Sequence, residues 1–195
     1  MMVLNRLHFF ESIRTHLFEG HLLEPQVVGA SKLLDFWEGC RHSAKPEIEA
    51  EDDRWLAYVL ATAYHETART MQPIEEFGKG VGHDYGKPDP TTGHRYYGRG
   101  LVQLTHAHNY QEMGERLGIP LYQHPDLACD PDVSVRIIFV GMAEGRFTGK
   151  KLADYFPPKN PHCNWFDARR IINGLDRAVQ IASFARSFYS ALSYL

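Results

Sequence analysis

Apolar residues recur at helical spacing through most of the chain, which predicts a mainly α-helical fold. A first helix is indicated by the apolar positions Leu4, Leu7, Ile13 and Leu17. A second begins near Pro25, because proline suits the first turn of a helix. A third helix is predicted to begin at a cap on Asp52 or Asp53 and to run through Trp55 to about Met71, before Pro73. A fourth is predicted from a Thr105 cap to near Gly118. Further helices are predicted after Asp130, near Trp165, and from Asp176 to the end.

The last predicted helix is amphipathic. One face is expected to pack on the core, and it carries Val179, Phe184, Phe188, Leu192 and Leu195.

Residues 78–100 break the helical pattern. Seven of the 16 glycines lie in this segment, together with two prolines. This composition predicts a long shaped loop or a small hairpin beside a cleft, and loops of this length are usually functional. The fold class is therefore mainly α, of the α+β kind, with one small irregular part.

Composition narrows the class of protein. A length of 195 residues with 44% hydrophobic and 23% charged residues suits one domain, 1–195, and excludes collagen, coiled-coil and disordered chains. No apolar run reaches the length of a membrane span, and the start resembles no signal peptide. A net charge of −3 argues against a nucleic-acid partner. Three widely spaced cysteines predict no disulfide framework.

Glu66 is the most informative single residue. With Trp55 at zero on a helical wheel, Val59, Thr62 and Glu66 fall at about 40°, about −20° and about 20°, so the glutamate belongs to the core-facing stripe. A carboxyl group in such a place is a candidate general acid. The alternative is a structural glutamate paired with an arginine of a neighbouring helix.

A second carboxylate follows nine residues later at Glu75, with Glu76 beside it. On one continuous helix, Glu66 and Glu75 would face opposite sides. Pro73 allows the chain to turn back, so that Glu75 can lie across a cleft from Glu66. Two carboxyl groups about 6.5–9.5 Å apart leave room for the water of an inverting glycoside hydrolase. Glu76 is the rival base, and a surface pair of glutamates is the structural alternative.

The segment YYGRGLVQLTHAHNY begins at Tyr96 and combines aromatic, glycine and amide residues, a mixture that suits a sugar ligand. It closely resembles the signature of family-19 glycoside hydrolases, which comprise chitinases and related bacteriophage endolysins. AYHET around Glu66 resembles the segment that carries their general acid, and IING at 171–174 resembles a later element. The short distance between Glu66 and Glu75 resembles the endolysin branch.

The resemblance implies a lysozyme-like fold and a role for each matching residue. Glu66 corresponds to the acid, Glu75 to the base, and Thr105 to the hydroxyl that helps to hold the attacking water. The substrate-contacting and cleft-shaping positions are Tyr96, Tyr97, Arg99, Gln103, Asn109 and Asn173, with Arg177 or Arg186 as the cleft arginine. Leu175 stands where the family commonly has a second glycine.

Other chemistries are weaker interpretations. His106 and His108 with His83 or His94 could in principle meet around zinc, but no zinc-type spacing is present, and we expect neither metal nor cofactor. The glycine-rich segments match no nucleotide-binding motif.

On resemblance, the sequence predicts an endolysin. It would hydrolyse β-1,4 bonds of peptidoglycan by inversion, as a monomer without a wall-binding domain or stable membrane insertion. We expect it to be made in a bacterial host's cytoplasm and to reach the wall through a separate pore. The alternatives are a chitinase, a lytic transglycosylase that needs only the acid, and a catalytically inactive glycan-binding module.

Overall fold

The computed structural model describes residues 3–195 and confirms a mainly α-helical fold. The α-helices are α1 Arg6–His16, α2 Glu24–His42, α3 Asp53–Glu66, α4 Ala107–Leu117, α5 Pro131–Glu144, α6 Leu152–Tyr155 and α7 Ala178–Ala191. Two short strands, β1 Ile74–Glu75 and β2 Arg99–Gly100, pair antiparallel, and 3₁₀ turns span Asp84–Gly86, Pro125–Cys129 and Asp167–Ile171.

Helix α3 runs through the centre of the molecule. All its residues from Arg54 to Tyr64 are buried, and it packs along α7 and against α2 and α5. Its start is the one predicted, because the Asp52 side chain accepts a hydrogen bond from the Arg54 backbone N–H at 3.0 Å. A helix buried on all sides must end where the chain returns to the surface, and α3 ends at Glu66.

The end of α3 differs from the sequence prediction, which continued the helix to about Met71. The helix stops at Glu66 because Ala68, Arg69 and Met71 adopt positive φ angles of 50°, 70° and 56°. The Thr67 hydroxyl holds this turn by accepting from the Met71 N–H at 3.0 Å. Helix α2 packs tightly on it, since a Cβ on Gly29 would lie 1.8 Å from the Met71 carbonyl oxygen. This packing fixes the turn that precedes Pro73.

The structure corrects other local expectations. Helix α4 begins at Ala107 after His106, so Thr105 is not its cap. Leu7 is exposed, as are Val179 and Leu195 in and after α7. The buried face of α7 consists mainly of small residues, which allow α7 to approach α3 closely: Ala178, Ile181, Ala182, Ala185, Phe188 and Ala191.

The glycine-rich segment forms the expected long loop with a small hairpin at its base. Ile74 pairs with Gly100 and Glu75 with Arg99. Outside this pair, residues 78–98 contain one 3₁₀ turn, Asp84–Gly86. Within residues 3–195, the three cysteines are free, and no helix combines the length and apolarity that crossing a membrane requires. The hairpin brings Glu75 and the YYGRG segment to the end of α3 that carries Glu66.

Candidate active site

A polar cleft of about 470 Å³ opens at the carboxyl end of α3. Its wall combines one carboxylate, one arginine, three amides and several aromatic or aliphatic side chains. The residues that line it are Glu66, Tyr85, Val102, Gln103, Leu104, Thr105, His106, Asn109, Phe147, Arg169, Ile172 and Asn173. Polar groups that converge on one cleft beside a few apolar side chains can fix the orientation of a ligand.

Glu66 forms an ion pair in this cleft. The Arg169 guanidinium donates from Nη1 to Glu66 Oε1 at 2.7 Å, and the two side chains are 4% and 16% exposed. Glu66 is therefore paired with an arginine, as the structural interpretation expects, and it also faces a cleft. The contact occupies one carboxylate oxygen and fixes the orientation of the other.

Arg169 also supports the opposite wall. Its Nε donates to the Asp176 carbonyl oxygen at 3.2 Å, which ties the 3₁₀ turn Asp167–Ile171 to the loop carrying Asn173. Sequence reasoning missed this residue, because it searched for the cleft arginine after the IING element rather than before it. Arg177 is exposed at the start of α7, and Arg186 lines a different groove.

Three of the predicted substrate contacts meet along the cleft with Thr105, the predicted water-holding hydroxyl. Gln103, Thr105 and Asn109 stand on one wall, and Asn173 stands on the exposed rim. The Asn109 amide donates to the Thr105 carbonyl oxygen at 2.9 Å, which orients both residues. Amide and hydroxyl groups arranged in this way can bind the hydroxyl and acetamido groups of a sugar.

Gln103 connects the cleft to the strand pair. It adopts a positive φ of 55°, and its amide donates to the carbonyl oxygens of Ile74 at 3.0 Å and Gly100 at 3.1 Å. A non-glycine residue in this conformation is uncommon and often marks a functional site. Through these bonds, the position of β1 and therefore of Glu75 depends on a cleft residue.

Glu75 lies beside the cleft and is not among the residues that line it. Its Oε1 accepts from the Tyr97 hydroxyl at 2.6 Å, and Lys79 Nζ lies 3.0 Å from Oε2. Arg99 Nε is 3.5 Å from Oε1. The Tyr97 hydrogen bond, supported by the two cations, lowers the pKa of Glu75 below its ordinary value. This carboxylate is therefore ionised at neutral pH and able to accept a proton.

Both carboxylate oxygens of Glu76 accept hydrogen bonds from the loop between the two strands and its base. Its Oε2 accepts from the Gly98 N–H at 3.0 Å, and its Oε1 accepts from the Tyr85 hydroxyl at 3.3 Å. The Glu76 N–H donates to the Gly98 carbonyl oxygen at 2.7 Å. With both carboxylate oxygens bonded across the hairpin, Glu76 fits a role in holding the loop better than a role as a base.

The remaining predicted residues form a buried support under the cleft. The Arg99 guanidinium lies 3.7 Å from the centre of the Tyr97 ring and donates to the Tyr110 hydroxyl at 3.2 Å. Tyr96 stacks on Tyr122, with ring centres 5.3 Å apart, and donates to its carbonyl oxygen at 2.6 Å. The structure therefore buries Tyr96, Tyr97 and Arg99, which shape the site without lining the cleft.

If Glu75 acts as a base, as the resemblance implies, replacing Tyr97 with phenylalanine is expected to shift the pH dependence of the reaction rate. The hydroxyl that lowers the pKa of Glu75 is lost, so this pKa rises. A base works only when ionised, and the acidic limb of kcat therefore moves to higher pH. A pH–rate profile against wild type measures the shift. An unchanged acidic limb in a folded variant would show that Glu75 does not set it.

Two residues of the cleft also face a neighbouring groove. Tyr85 and His106 line both the cleft and a groove of about 380 Å³, which carries Asp84 and Lys87 at its exposed edge. The Tyr85 and His106 rings meet edge to face, with centres 5.2 Å apart. Sequence analysis did not select Tyr85. Within residues 3–195, no three His, Cys, Asp or Glu side chains are grouped so that they could hold a metal ion.

Part of the sequence matches a known family and several curated proteins. Residues 75–145 match the family model for class I chitinases of glycoside hydrolase family 19. Chitinase 11 of Oryza sativa subsp. japonica is 55% identical over 42 residues, 21% of this chain and 16% of that protein. Chitinase 3 of the same plant is 37% identical over 102 residues, which is 44% of this chain and 32% of that protein. These matches span less than a third of either relative.

The fold is similar to solved chitinase structures over nearly the whole chain. Chitinase C from Streptomyces griseus HUT6037 superimposes with a TM-score of 0.63 and 20% identity, covering 95% of this chain and 74% of that one. The class IV chitinase from Zea mays superimposes with a TM-score of 0.58 and 16% identity, covering 94% of this chain and 90% of that one. At these identities, the likeness shows a shared fold.

Proposed function

We propose that this chain is a glycoside hydrolase of family 19, the family whose model matches residues 75–145. In this proposal it hydrolyses β-1,4 bonds of an N-acetylated glycan by inversion, and the glycan is bacterial peptidoglycan. One observation carries the proposal. The Glu66 carboxylate, oriented by Arg169, faces a polar cleft whose other groups are the amides Gln103, Asn109 and Asn173.

In this proposal, Glu66 is the general acid. Its protonated carboxyl form donates the proton to the glycosidic oxygen as the bond to the leaving sugar breaks, which leaves the carboxylate that pairs with Arg169. The Arg169 contact holds the group in one orientation for that transfer. The apolar side chains Phe147 and Ile172 line the same cleft, so the proton donor works beside a partly water-excluding wall.

Glu75 is the proposed base. Its ionised carboxylate removes a proton from the water that attacks the anomeric carbon from the opposite face, and Thr105 is the hydroxyl proposed to hold that water. The two carboxylates stand on separate elements and are held by different partners, Arg169 and Tyr97.

The neighbouring groove supports peptidoglycan over chitin. Peptidoglycan carries short peptides with carboxylate and amino groups, whereas chitin is a neutral polymer. The groove continues the cleft at Tyr85 and His106, and its exposed edge presents Asp84 and Lys87, charges of both signs 2.7 Å apart. Charged side chains next to a glycan cleft suit the branched, charged polymer.

Chitin is the second candidate. The similar curated proteins are named chitinases or endochitinases, and an N-acetylglucosamine polymer would use the same amides of the cleft. A chitinase would cleave soluble chitin oligosaccharides at a rate at least equal to its rate on peptidoglycan strands.

Mass spectrometry of the products tests the proposal. Purified peptidoglycan from a Gram-negative bacterium is digested with wild type and, separately, with Glu66→Gln. We expect disaccharide-peptides with hydrated N-acetylmuramic acid at their reducing ends, absent with the variant. Anhydro ends would show a lytic transglycosylase. Products from chitin with none from peptidoglycan would replace the proposal with a chitinase. No product from either polymer, with binding unaffected by Glu66→Gln, would show a glycan-binding module.

The roles of the two adjacent glutamates can be separated. Glu75→Gln is expected to lose about 10²-fold or more in kcat, because the base is removed. Glu76→Gln is its matched control, since the amide oxygen can still accept from the Gly98 N–H and the amide NH2 can donate to the Tyr85 hydroxyl oxygen, so this variant should retain most of the activity. Initial rates of the two variants decide the assignment. The reverse order of losses would make Glu76 the base.

We also propose an endolysin role, in which the protein is made in the cytoplasm of an infected bacterium and reaches the wall through a separate membrane pore. Expression inside a Gram-negative host tests it. Cells should keep growing until a pore-forming protein is co-expressed and then lyse, whereas the Glu66→Gln variant should cause no lysis. Lysis by the variant would exclude wall hydrolysis as the cause.

A further inference from the structure

A second groove, of about 510 Å³, lies at the other end of α3 and serves no part of the proposed reaction. It is built around Arg54, in the first turn of α3, whereas Glu66 ends the same helix. Twelve residues of α-helix separate the two by about 18 Å. We propose that this groove binds acidic segments of the glycan polymer and so holds the enzyme on its substrate.

The groove is pre-formed, because the buried Arg54 holds the loop that forms one of its walls through hydrogen bonds. Arg54 is paired with Asp52, and its guanidinium donates to the carbonyl oxygens of Pro157 at 3.0 Å and His162 at 2.8 Å. These bonds attach the loop 157–163 to the start of α3. A ligand would therefore meet an ordered wall, and less conformational freedom is lost on binding.

The groove carries more positive than negative charge. Arg54 is balanced by Asp52 and Lys159 by the nearby Glu51, which leaves Arg186 as the unpaired cation of the lining. Arg186 is exposed on α7 and has no carboxylate partner in the part of the chain that the structure describes. The Lys159 side chain is 87% exposed, and its ammonium lies 3.7 Å from Glu51. The protein as a whole has a net charge of −3, whereas the unpaired Arg186 gives this groove a positive charge that can attract an anion.

An aromatic surface lies beside these cations. Tyr189 is 45% exposed and packs on the buried Trp165, with ring centres 5.7 Å apart. An exposed ring that is fixed from behind can stack on the C–H face of a pyranose. Arg186 and Tyr189 both line the groove and are three residues apart on α7, so they are neighbours on one face of the helix. A sugar and a nearby carboxylate can thus be bound together.

This chemistry selects an acidic glycan rather than a neutral one. Carboxylates of the peptide stems in peptidoglycan provide the anion and its sugar rings the stacking face, whereas chitin provides only the rings. The identity of the polymer rests on the proposed function. Two contacts about 18 Å apart on one polymer network raise the effective concentration of substrate at the cleft.

The test measures binding without hydrolysis. The full-length Glu66→Gln protein is sedimented with purified peptidoglycan sacculi, and the variants Arg186→Gln and Tyr189→Ala are compared in that background. Each is expected to bind about fivefold more weakly or worse. Arg14→Gln on α1 removes the same charge from another exposed helix and should bind as the parent does. Tyr189→Phe keeps the ring and should also bind normally, and thermal unfolding checks each fold.

The ligand class is tested with two further polymers. Binding to sacculi whose carboxylates have been amidated should no longer depend on Arg186. Binding to chitin should not depend on Arg186 either. Equal binding of Arg186→Gln and Arg14→Gln to untreated sacculi would overturn the inference, as would a full Arg186 dependence on chitin. Arg186-dependent binding to anionic phospholipid vesicles, without such binding to sacculi, would assign the groove to a membrane instead. Because product formation is measured separately, failure of this site and failure of the proposed reaction remain distinguishable.

Discussion

Replacement of Glu66 by glutamine is expected to reduce the rate of glycan hydrolysis by about 10²–10⁴-fold, the usual contribution of a positioned general acid. Glutamine has nearly the same size and can still accept the Arg169 hydrogen bond, so the geometry of the cleft should change little. The amide, however, has no proton to give to the glycosidic oxygen. Initial rates of reducing-end release from a soluble substrate measure the loss.

The control for this variant is Glu112→Gln. Glu112 is an exposed glutamate on α4, and its replacement removes the same charge away from the cleft. It should leave the rate unchanged. If Glu66→Gln were folded and as active as Glu112→Gln, the proton donor would be a different group and the proposed mechanism would be wrong.

Replacement of Arg169 by methionine is expected to lower the free energy of unfolding by about 3 kcal/mol, the scale for breaking a buried ion pair from one side. Arg169 is 4% exposed, and its loss leaves the Glu66 carboxylate unpaired. It also removes the hydrogen bond to the Asp176 carbonyl oxygen, so the loop that carries Asn173 loses an anchor. Urea denaturation measures the stability, and initial rates should fall as well.

A double-mutant cycle separates the ion pair from the anchor. In the Glu66→Gln background, no carboxylate is left unpaired, so Arg169→Met should cost about 1–2 kcal/mol less than it does alone. The remaining cost measures the bond to the loop. If the two single substitutions were simply additive, the ion pair would contribute nothing to stability, and Arg169 would act only through the Asp176 carbonyl.

Part of the site could be predicted because its signals are local. The Asp52 cap, the buried stripe of α3 and the position of Glu66 on it follow from periodicity and from one capping side chain. Glycine content predicted the loop between β1 and β2. The YYGRG resemblance indicated Gln103 and Asn109, which do line the cleft.

Motif spacing says nothing about burial, so the sequence did not separate residues that line the cleft from residues that support it. Tyr96, Tyr97 and Arg99 are buried beneath the cleft, where Arg99 lies against the Tyr97 and Tyr110 rings. A sequence pattern marks such residues as a group. Whether each one lines a cleft or supports it depends on which side of the hairpin packs on the core.

The sequence by itself determined the helical class, the start of α3, the glycine-rich loop and the carboxylate that faces the cleft, since neighbours along the chain set these features. Only the tertiary structure decided where α3 ends, because that depends on α2 packing against Met71. It alone showed that Arg169, 103 residues from Glu66, is the partner of that carboxylate. Such contacts depend on the packing of distant elements, and no local pattern of residues encodes which ones will meet.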